Sequence, residues 1–440
     1  MLVSFTIENW KSFRDATSFT MEATGEDSHG YRVSVSEPAG IKVLPITAIF
    51  GGNASGKSNL IRALSFVQEC VVGDAQGLDS LSRADPFRLD PEIVKKPTRF
   101  RIELLSKEKL YEFSFAVRRR TVLEEKLVQF SDSSGTLLYE RKGLEVKFGE
   151  SQEERDQLDL AAKAVRPDML FLSECSLLGI PHYSDVFEWF SGSLVIIAPG
   201  KRTGTRILFE NPKVYSTLTQ FLPLLDTGIS RIAHETIPLE HLSLPEKLRL
   251  DLEASVIEGA CREIPPSCAF ARNGVITRED GELLVKSMVT YHRGRDGDEV
   301  ELDPEQVSGG TSHLLDIIPA IILLAQDAGK HVLCIDELDQ NLHTNLTCEL
   351  LEKYLVSCTT DRRSQLLFAT HDTSLMDQGL LRHDEMWVLE RNAAGASKLI
   401  AISGYKDLPL GSDIRKGYLA GHLGGVPHLF SDGISIQAAD

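Results

Sequence analysis

No stretch constrains this chain more than Val43 to Leu60, VLPITAIFGGNASGKSNL. An apolar run, Ile46 to Phe50, ends in Gly51-Gly52-Asn53-Ala54-Ser55-Gly56-Lys57-Ser58, which fits G-x-x-x-x-G-K-[ST] without a gap. Asn59-Leu60-Ile61-Arg62-Ala63-Leu64 follows and reads as the first turns of a helix. Strand, glycine loop and helix in that order make a phosphate cradle. The glycines let the backbone wrap closely, the free N–H groups of the helix point at the anion, and Lys57 adds a positive charge. The Ser58 hydroxyl is placed to hold Mg²⁺. A Gly/Ser-rich turn matching by chance is the bland alternative, and it gives no reason for the correct flanks.

Three further segments belong with this loop. Val332-Leu333-Cys334-Ile335-Asp336-Glu337 is an apolar strand ending in two carboxylates. Asp336 suits a Mg²⁺ position and Glu337 can orient and deprotonate an attacking water; an ordinary acidic turn is the competing reading. Gln306-Val307-Ser308-Gly309-Gly310-Thr311 opens a helix and offers a second anion cradle from its N–H groups and the Ser308 hydroxyl. Two cradles in one chain suggest that two subunits sandwich each nucleotide. Gln365 to Thr370 is a strand followed by His371, which is placed to touch a terminal phosphate or the water; a loop histidine without a role is the alternative.

The rest of the chain reads as α/β. Leu2–Glu8 and 16–21 alternate like short strands, and Asn59–Val71 has helical spacing. From Thr98 the period is two, giving five successive antiparallel strands to Gly149. Arg118-Arg119-Arg120 is a phosphate contact or, more plainly, a charged hairpin end. Ser151–Val165 reads as a helix, Met169–Leu172 as a short strand running into Ser173-Glu174, and Leu194–Ile197 as a strand after a helix at His182–Phe190. Gly200–Gly204 is a break. Pro212–Gly259 looks mostly helical, and Val275–His292 returns to strands around an Asp280-Gly281 turn. Helices at Ser312–Gln326 (capped by Thr311 or Ser312), Thr344–Val356 and Ser374–Leu381 alternate with strands ending at Ile335, Ala369 and Glu390, so a parallel sheet is expected. The expected division is an N-terminal lobe (1–200), a helical insertion (205–270), a second lobe (271–400) and a C-terminal extension (401–440).

With 440 residues the chain has room for such a core. A net charge of −17 argues against a surface that coats nucleic acid, while leaving room for one basic groove. Seven scattered cysteines without a CxxC pair argue for a reducing compartment and against a zinc knuckle. No basic, apolar leader opens the sequence, and Leu314–Ala325 is short for a bilayer span. A cytoplasmic protein without membrane contact is expected.

The order GGNASGKS, VSGGT, VLCIDELD and FATHD resembles the ATP-binding-cassette class of ATPase heads, in its RecF-like, SMC-like and overcoming-lysogenisation-defect branch. The opening LVSFTIENWKSFRDA and the late YLAGHLGGVPHLF resemble stand-alone bacterial ATPases of that branch, many linked to phage defence or abortive infection. This resemblance implies a P-loop fold with an antiparallel β sub-sheet and a helical insertion, working on ATP and Mg²⁺. It implies that Gly51 and Asn53 to Asn59 hold phosphate, with Ser58 and Asp336 on Mg²⁺. Ser308, Gly309 and Gly310 would form a signature acting in trans, and Lys57 would assist catalysis. Glu337 would be the base, Asp339 would lie in the D-loop, and His371 would be the switch histidine. Lys11, Ser12 and Phe13 would border the base. One position departs from the family: its glutamine loop has no glutamine here, so either Glu174 takes that metal contact or the loop lies elsewhere.

The implied activity is ATP hydrolysis by a homodimer, or a higher oligomer built from dimers. Long coiled coils are not expected, and neither is room after Glu390 for a Toprim nuclease domain. Two roles therefore stand open: a defence sensor or scaffold holding a separately encoded effector until a phage component appears, and a repair ATPase working on DNA. The acidic charge and the lack of an aromatic-basic groove favour the first.

Overall fold

The computed structural model describes residues 1–73, 80–131, 134–149, 155–199, 203–225, 227–242, 244–256, 258, 261–263, 274–302, 306–326, 331–405 and 413–426. The start of the expected helix at Ser151–Val165, most of the expected break at Gly200–Gly204 and the end of the C-terminal extension lie outside these.

A six-stranded sheet forms the centre, in the order Leu194–Ile197, Val332–Ile335, Gln365–Thr370, Ile46–Phe50, Met386–Arg391, Ser397–Ala401. The first five strands are parallel and the last is antiparallel. The three middle strands are buried at every residue, as strands covered on both faces must be. Gln365–Thr370 is inserted between the glycine-loop strand and the acidic strand, pairing Phe368 with Ile335 and Thr370 with Phe50. Gly51, Asp336 and His371 therefore leave the sheet at one carboxyl edge, where ligands of open α/β sheets bind.

Leu2–Glu8 and Thr17–Thr20 join a seven-stranded antiparallel sheet with the five strands between Thr98 and Phe148. Between this sheet and the parallel one runs the helix Lys57–Gln68, burying Leu60, Ile61, Ala63, Leu64, Phe66 and Val67. It begins at Lys57, two residues before the position its periodicity suggests. Trp10 packs on Phe66 (centroids 4.9 Å apart) and donates its Nε1–H to the Asn59 carbonyl at 2.9 Å. The opposite face is covered by Gly309–Gln326 and Thr344–Val356. Gly309–Gln326 is apolar and long enough to cross a bilayer, yet most of it is buried in this core.

Three sequence expectations are corrected. Met169–Leu172 is not a strand; Phe171–Leu177 is a helix. A short apolar run has no period that separates the two, and a distant residue decides. The buried Glu125 carboxylate accepts the N–H groups of Phe171 (2.6 Å) and Leu172 (3.0 Å), capping the helix from the antiparallel sheet. It also accepts from Tyr139 Oη at 2.7 Å and faces Arg141 Nη1 at 3.4 Å. Glu125→Ala leaves the fully buried Arg141 charge without its partner, and we expect a loss of about 3–5 kcal/mol. A shift of the urea midpoint at unchanged slope measures it, and a midpoint like that of the wild type would remove Glu125 from this role.

The stretch expected to be helical after Pro212 holds helices Pro212–Phe221 and Glu246–Ser255, but Ile229–Pro238 between them is a strand paired with Glu282–Arg293. Together with Gly274–Glu279, Cys261–Glu263 and Glu299–Leu302 it builds a third sheet. A register shift between Ile229 and Arg231 lets Ile229 and Ile232 both be buried, and this spacing of three imitates a helix. Ser374–Leu381 is only a 3₁₀ turn, Thr373–Leu375. Asp372 caps it by accepting from Ser374 N at 2.8 Å, and Asp377 then accepts from Gly379 N at 2.8 Å and turns the chain away.

Candidate functional site

The glycine loop lies over the carboxyl edge of the parallel sheet. Gly56 has φ of +114°, and a Cβ there would collide with the hydroxyls of Ser397 and Ser12. Ala54 is left-handed as well, at φ +61°. The helix starts at Lys57, and the N–H groups of Asn59 and Leu60 turn back to the Gly56 carbonyl at 2.9 and 3.1 Å. Its leading N–H groups thus face the loop without intrahelical partners. The Ser55 hydroxyl is buried with no hydrogen-bond partner. An orphaned hydroxyl, free N–H groups and a cradle that a Cβ would fill all fit a phosphate chain.

Lys57 Nζ, almost fully buried, donates to the carbonyls of Gly51 (2.7 Å) and Gly52 (3.1 Å) and lies 3.3 Å from His371 Nδ1. Burial lowers its pKa to about 8, against the pull of Asp339, Asp336 and Glu337. Burial, and after it the Lys57 charge, hold the His371 pKa below its ordinary value. The His371 main-chain N–H donates to the Asp339 carboxylate, at 3.2 Å from Oδ2.

The Ser58 hydroxyl donates to Asp336 Oδ1 at 3.0 Å, which joins the glycine loop to the acidic strand. Burial raises the Asp336 pKa, and the neighbouring Glu337 adds to this. Both effects are those of a carboxylate short of positive charge. Among the described residues no group of three or more His, Cys, Asp or Glu could hold a metal by itself. A divalent cation here would take Ser58 and Asp336 from the protein and its other oxygens from phosphate and water, the mode Mg²⁺ favours. Glu337 is left-handed at φ +58°, a conformation that costs a non-glycine residue about 1–2 kcal/mol and is characteristic of working sites. Its carbonyl accepts from His313 Nε2 at 3.2 Å, linking it to the helix Gly309–Gln326.

Lys57, Ser58, Glu337 and His371 share a cavity of about 580 Å³ with Asn53 to Gly56 and Asn59. Lys11 and Ser12 line it too. Lys11 is ion-paired to Asp85 at 2.9 Å, and the Ser12 hydroxyl accepts from Asn59 Nδ2 at 2.9 Å. Arg88, Leu89, Arg391 and Gly395 are also part of the lining. These four carry no motif, and only the fold brings them to the loop.

Two expected site residues lie elsewhere. Phe13 is fully buried in the core beneath the loop and does not line the cavity. Glu174 sits on the helix capped by Glu125, is buried, and has Arg166 and Arg141 as its charged neighbours rather than the glycine-loop groups. The strand that flanks the acidic strand is instead Leu194–Ile197, whose Ile197 carbonyl accepts the Asp336 N–H at 2.9 Å.

Ser308 caps its helix, accepting from Thr311 N at 3.2 Å, so the helix opens at Gly309 rather than near Ser312. Ser308 and Gly310 line a second cleft with Asn341, Leu342 and His343, and within one chain this cleft is separate from the cavity of Lys57.

The family model described as "AAA domain, putative AbiEii toxin, Type IV TA system" matches residues 46–377, from the start of the glycine-loop strand to beyond His371. No curated protein matches the sequence. Among solved structures, the SMC head domain from Thermotoga maritima is 13% identical over 91% of this chain and 98% of its own, with a TM-score of 0.35. An SMC head bound to the C-terminal winged-helix domain of ScpA is 13% identical over 92% and 99%, with a TM-score of 0.42.

Proposed function

This chain belongs to the family of AAA domains described with the putative AbiEii toxin of a Type IV TA system, and from that premise we propose that it hydrolyses ATP at sites shared between two copies, to control a separate effector protein in anti-phage defence. The 3.0 Å hydrogen bond between Ser58 and Asp336 carries the catalytic part of this reading, because it sets the phosphate loop against the acidic strand end.

The N–H groups of the loop and Lys57 hold the β- and γ-phosphates. Ser58 and Asp336 would hold Mg²⁺, which would supply positive charge to the phosphate oxygens. Glu337 accepts a proton from the water that attacks the γ-phosphorus, as the bond from that phosphorus to the β–γ bridging oxygen breaks and ADP leaves. His371, anchored by its main-chain N–H to Asp339, orients that water or the γ-phosphate from its ring.

The separate cleft of Ser308 supports a composite site, since a facing copy can bring it over the nucleotide. Lys57→Ala and Ser308→Arg are each expected to be nearly inactive. Mixed one to one with subunit exchange, they should recover about a quarter of wild-type turnover, because half the dimers are mixed and each holds one intact site. Tagged chains verify exchange, and mixed dimers without recovery argue against completion in trans. The description of the family as a TA system supports a protein effector. A DNA-associated ATPase is the second reading, favoured by the exposed turn at Arg118, Arg119 and Arg120.

A further inference from the structure

The glycine loop is held from outside by the far end of the chain. Gly52 N–H donates to the carbonyl of Gly425 at 3.0 Å, while the Gly52 carbonyl accepts from Lys57 Nζ and from Ser55 N–H at 3.3 Å. Gly52 is thus pinned on both sides, its carbonyl by the loop itself and its N–H by residue 425. The Gly425 carbonyl also accepts from Tyr418 Oη at 3.1 Å.

This approach needs glycine. Gly424 and Gly425 have φ of +70° and +71°. A Cβ at Gly425 would collide with Val388 of the neighbouring strand, and one at Gly424 would meet the Glu390 carboxylate. The segment is firmly anchored. Ile414, Tyr418 and Leu423 are buried in the core, Tyr405 Oη donates to the Leu423 carbonyl at 2.9 Å, and Asp413 caps the short helix by accepting from Lys416 N at 3.0 Å.

We propose that Tyr418 and Gly425 are positioning residues of the nucleotide site, forming a C-terminal strap that sets the Gly51–Gly52 turn in its phosphate-binding shape. This rests on the reading of the glycine loop as the phosphate site. The strap touches no nucleotide; it acts through the Gly52 N–H. Since that turn holds phosphate in the ground state and the transition state alike, loosening it weakens both equally, raising KM and leaving kcat in place.

The test uses the full chain, with steady-state ATPase kinetics and direct ADP titration. Tyr418→Phe keeps the buried ring and removes only the hydroxyl; KM for ATP and Kd for ADP should rise about threefold with kcat within twofold of wild type. Gly425→Ala, which adds the clash with Val388 and the strained φ, should raise both tenfold or more. A merely structural strap would lower the active fraction instead, so reduced kcat at unchanged KM overturns the proposal. Wild-type KM and Kd in Tyr418→Phe overturn it as well, even where Gly425→Ala fails to fold. Lys57→Ala, titrated alongside, separates the two readings. If it keeps wild-type affinity, the phosphate assignment fails; if it loses affinity while Tyr418→Phe does not, only the strap fails.

Discussion

ATP affinity is expected to fall about 30-fold or more in Lys57→Ala, in a protein that still folds. Lys57 is the only cation of the glycine loop, and its ammonium lies almost fully buried against the Gly51 and Gly52 carbonyls. Of the other cations lining the cavity, Arg62 Nη1 donates to Asn59 Oδ1 at 3.4 Å. Lys11 and Arg88 are paired with Asp85, and Arg391 Nε donates to the Gly395 carbonyl at 2.9 Å. Charge-assisted hydrogen bonds contribute about 1.5–3 kcal/mol each, and losing even one to the β- or γ-phosphate accounts for most of the expected drop. The depressed pKa adds a second signature. Below pH 8 Lys57 is charged in the free protein and affinity is flat. Above it, binding must first protonate the amine, so affinity declines by up to tenfold per pH unit until the pKa of the bound state is passed. Lys57→Ala should lack this decline. Unchanged affinity in a direct titration would take the loop out of the phosphate site.

The second large effect belongs to Glu337. Glu337→Gln keeps the shape, the left-handed backbone and the His313 contact through its main-chain carbonyl, but loses the base. Turnover should drop about 10²-fold or more while ATP still binds. If closure needs bound ATP and opening needs hydrolysis, the variant with ATP and Mg²⁺ should accumulate dimer, or a more compact dimer, by mass photometry or size exclusion. Asp336→Asn should instead weaken Mg²⁺-dependent binding and fail to close, since it removes the charged partner of Ser58. The trapped form also tests the biological reading. A protein that co-purifies with Glu337→Gln without DNA supports an effector under its control. Tight, salt-sensitive DNA binding by the closed form, with no protein partner, favours the DNA-associated alternative. Wild-type turnover in Glu337→Gln would refute its role as base.

Much of the site was legible in the sequence, because each of its parts is a strand end followed by a loop of specific chemistry. Gly51–Ser58 shows its cradle by glycine spacing and one lysine, Asp336-Glu337 by an apolar run ending in acid, and His371 by its place after Thr370. All three are brought to one edge, and the family match spans them. These are local signals, and short-range physics suffices to read them. The alternation of strands from Thr98 to Phe148 was legible for the same reason, since a half-buried antiparallel sheet repeats every two residues.

Tertiary structure decided whatever depends on a partner far along the chain. Phe171–Leu177 is a helix because Glu125, 46 residues earlier, caps it, and that displaces Glu174 from the site. Ile229–Pro238 is a strand because Glu282–Arg293 offers it a ladder, and a bulge disguises its period. Phe13 fills the core although its neighbour Ser12 faces the cavity, a difference of direction that composition cannot express. The Gly425 carbonyl completes the glycine loop from the other end of the molecule. Sequence periodicity reports which face of an element is apolar; it carries no information on which distant donor, acceptor or strand edge will meet it, and here those long-range hydrogen bonds chose the state of each ambiguous segment.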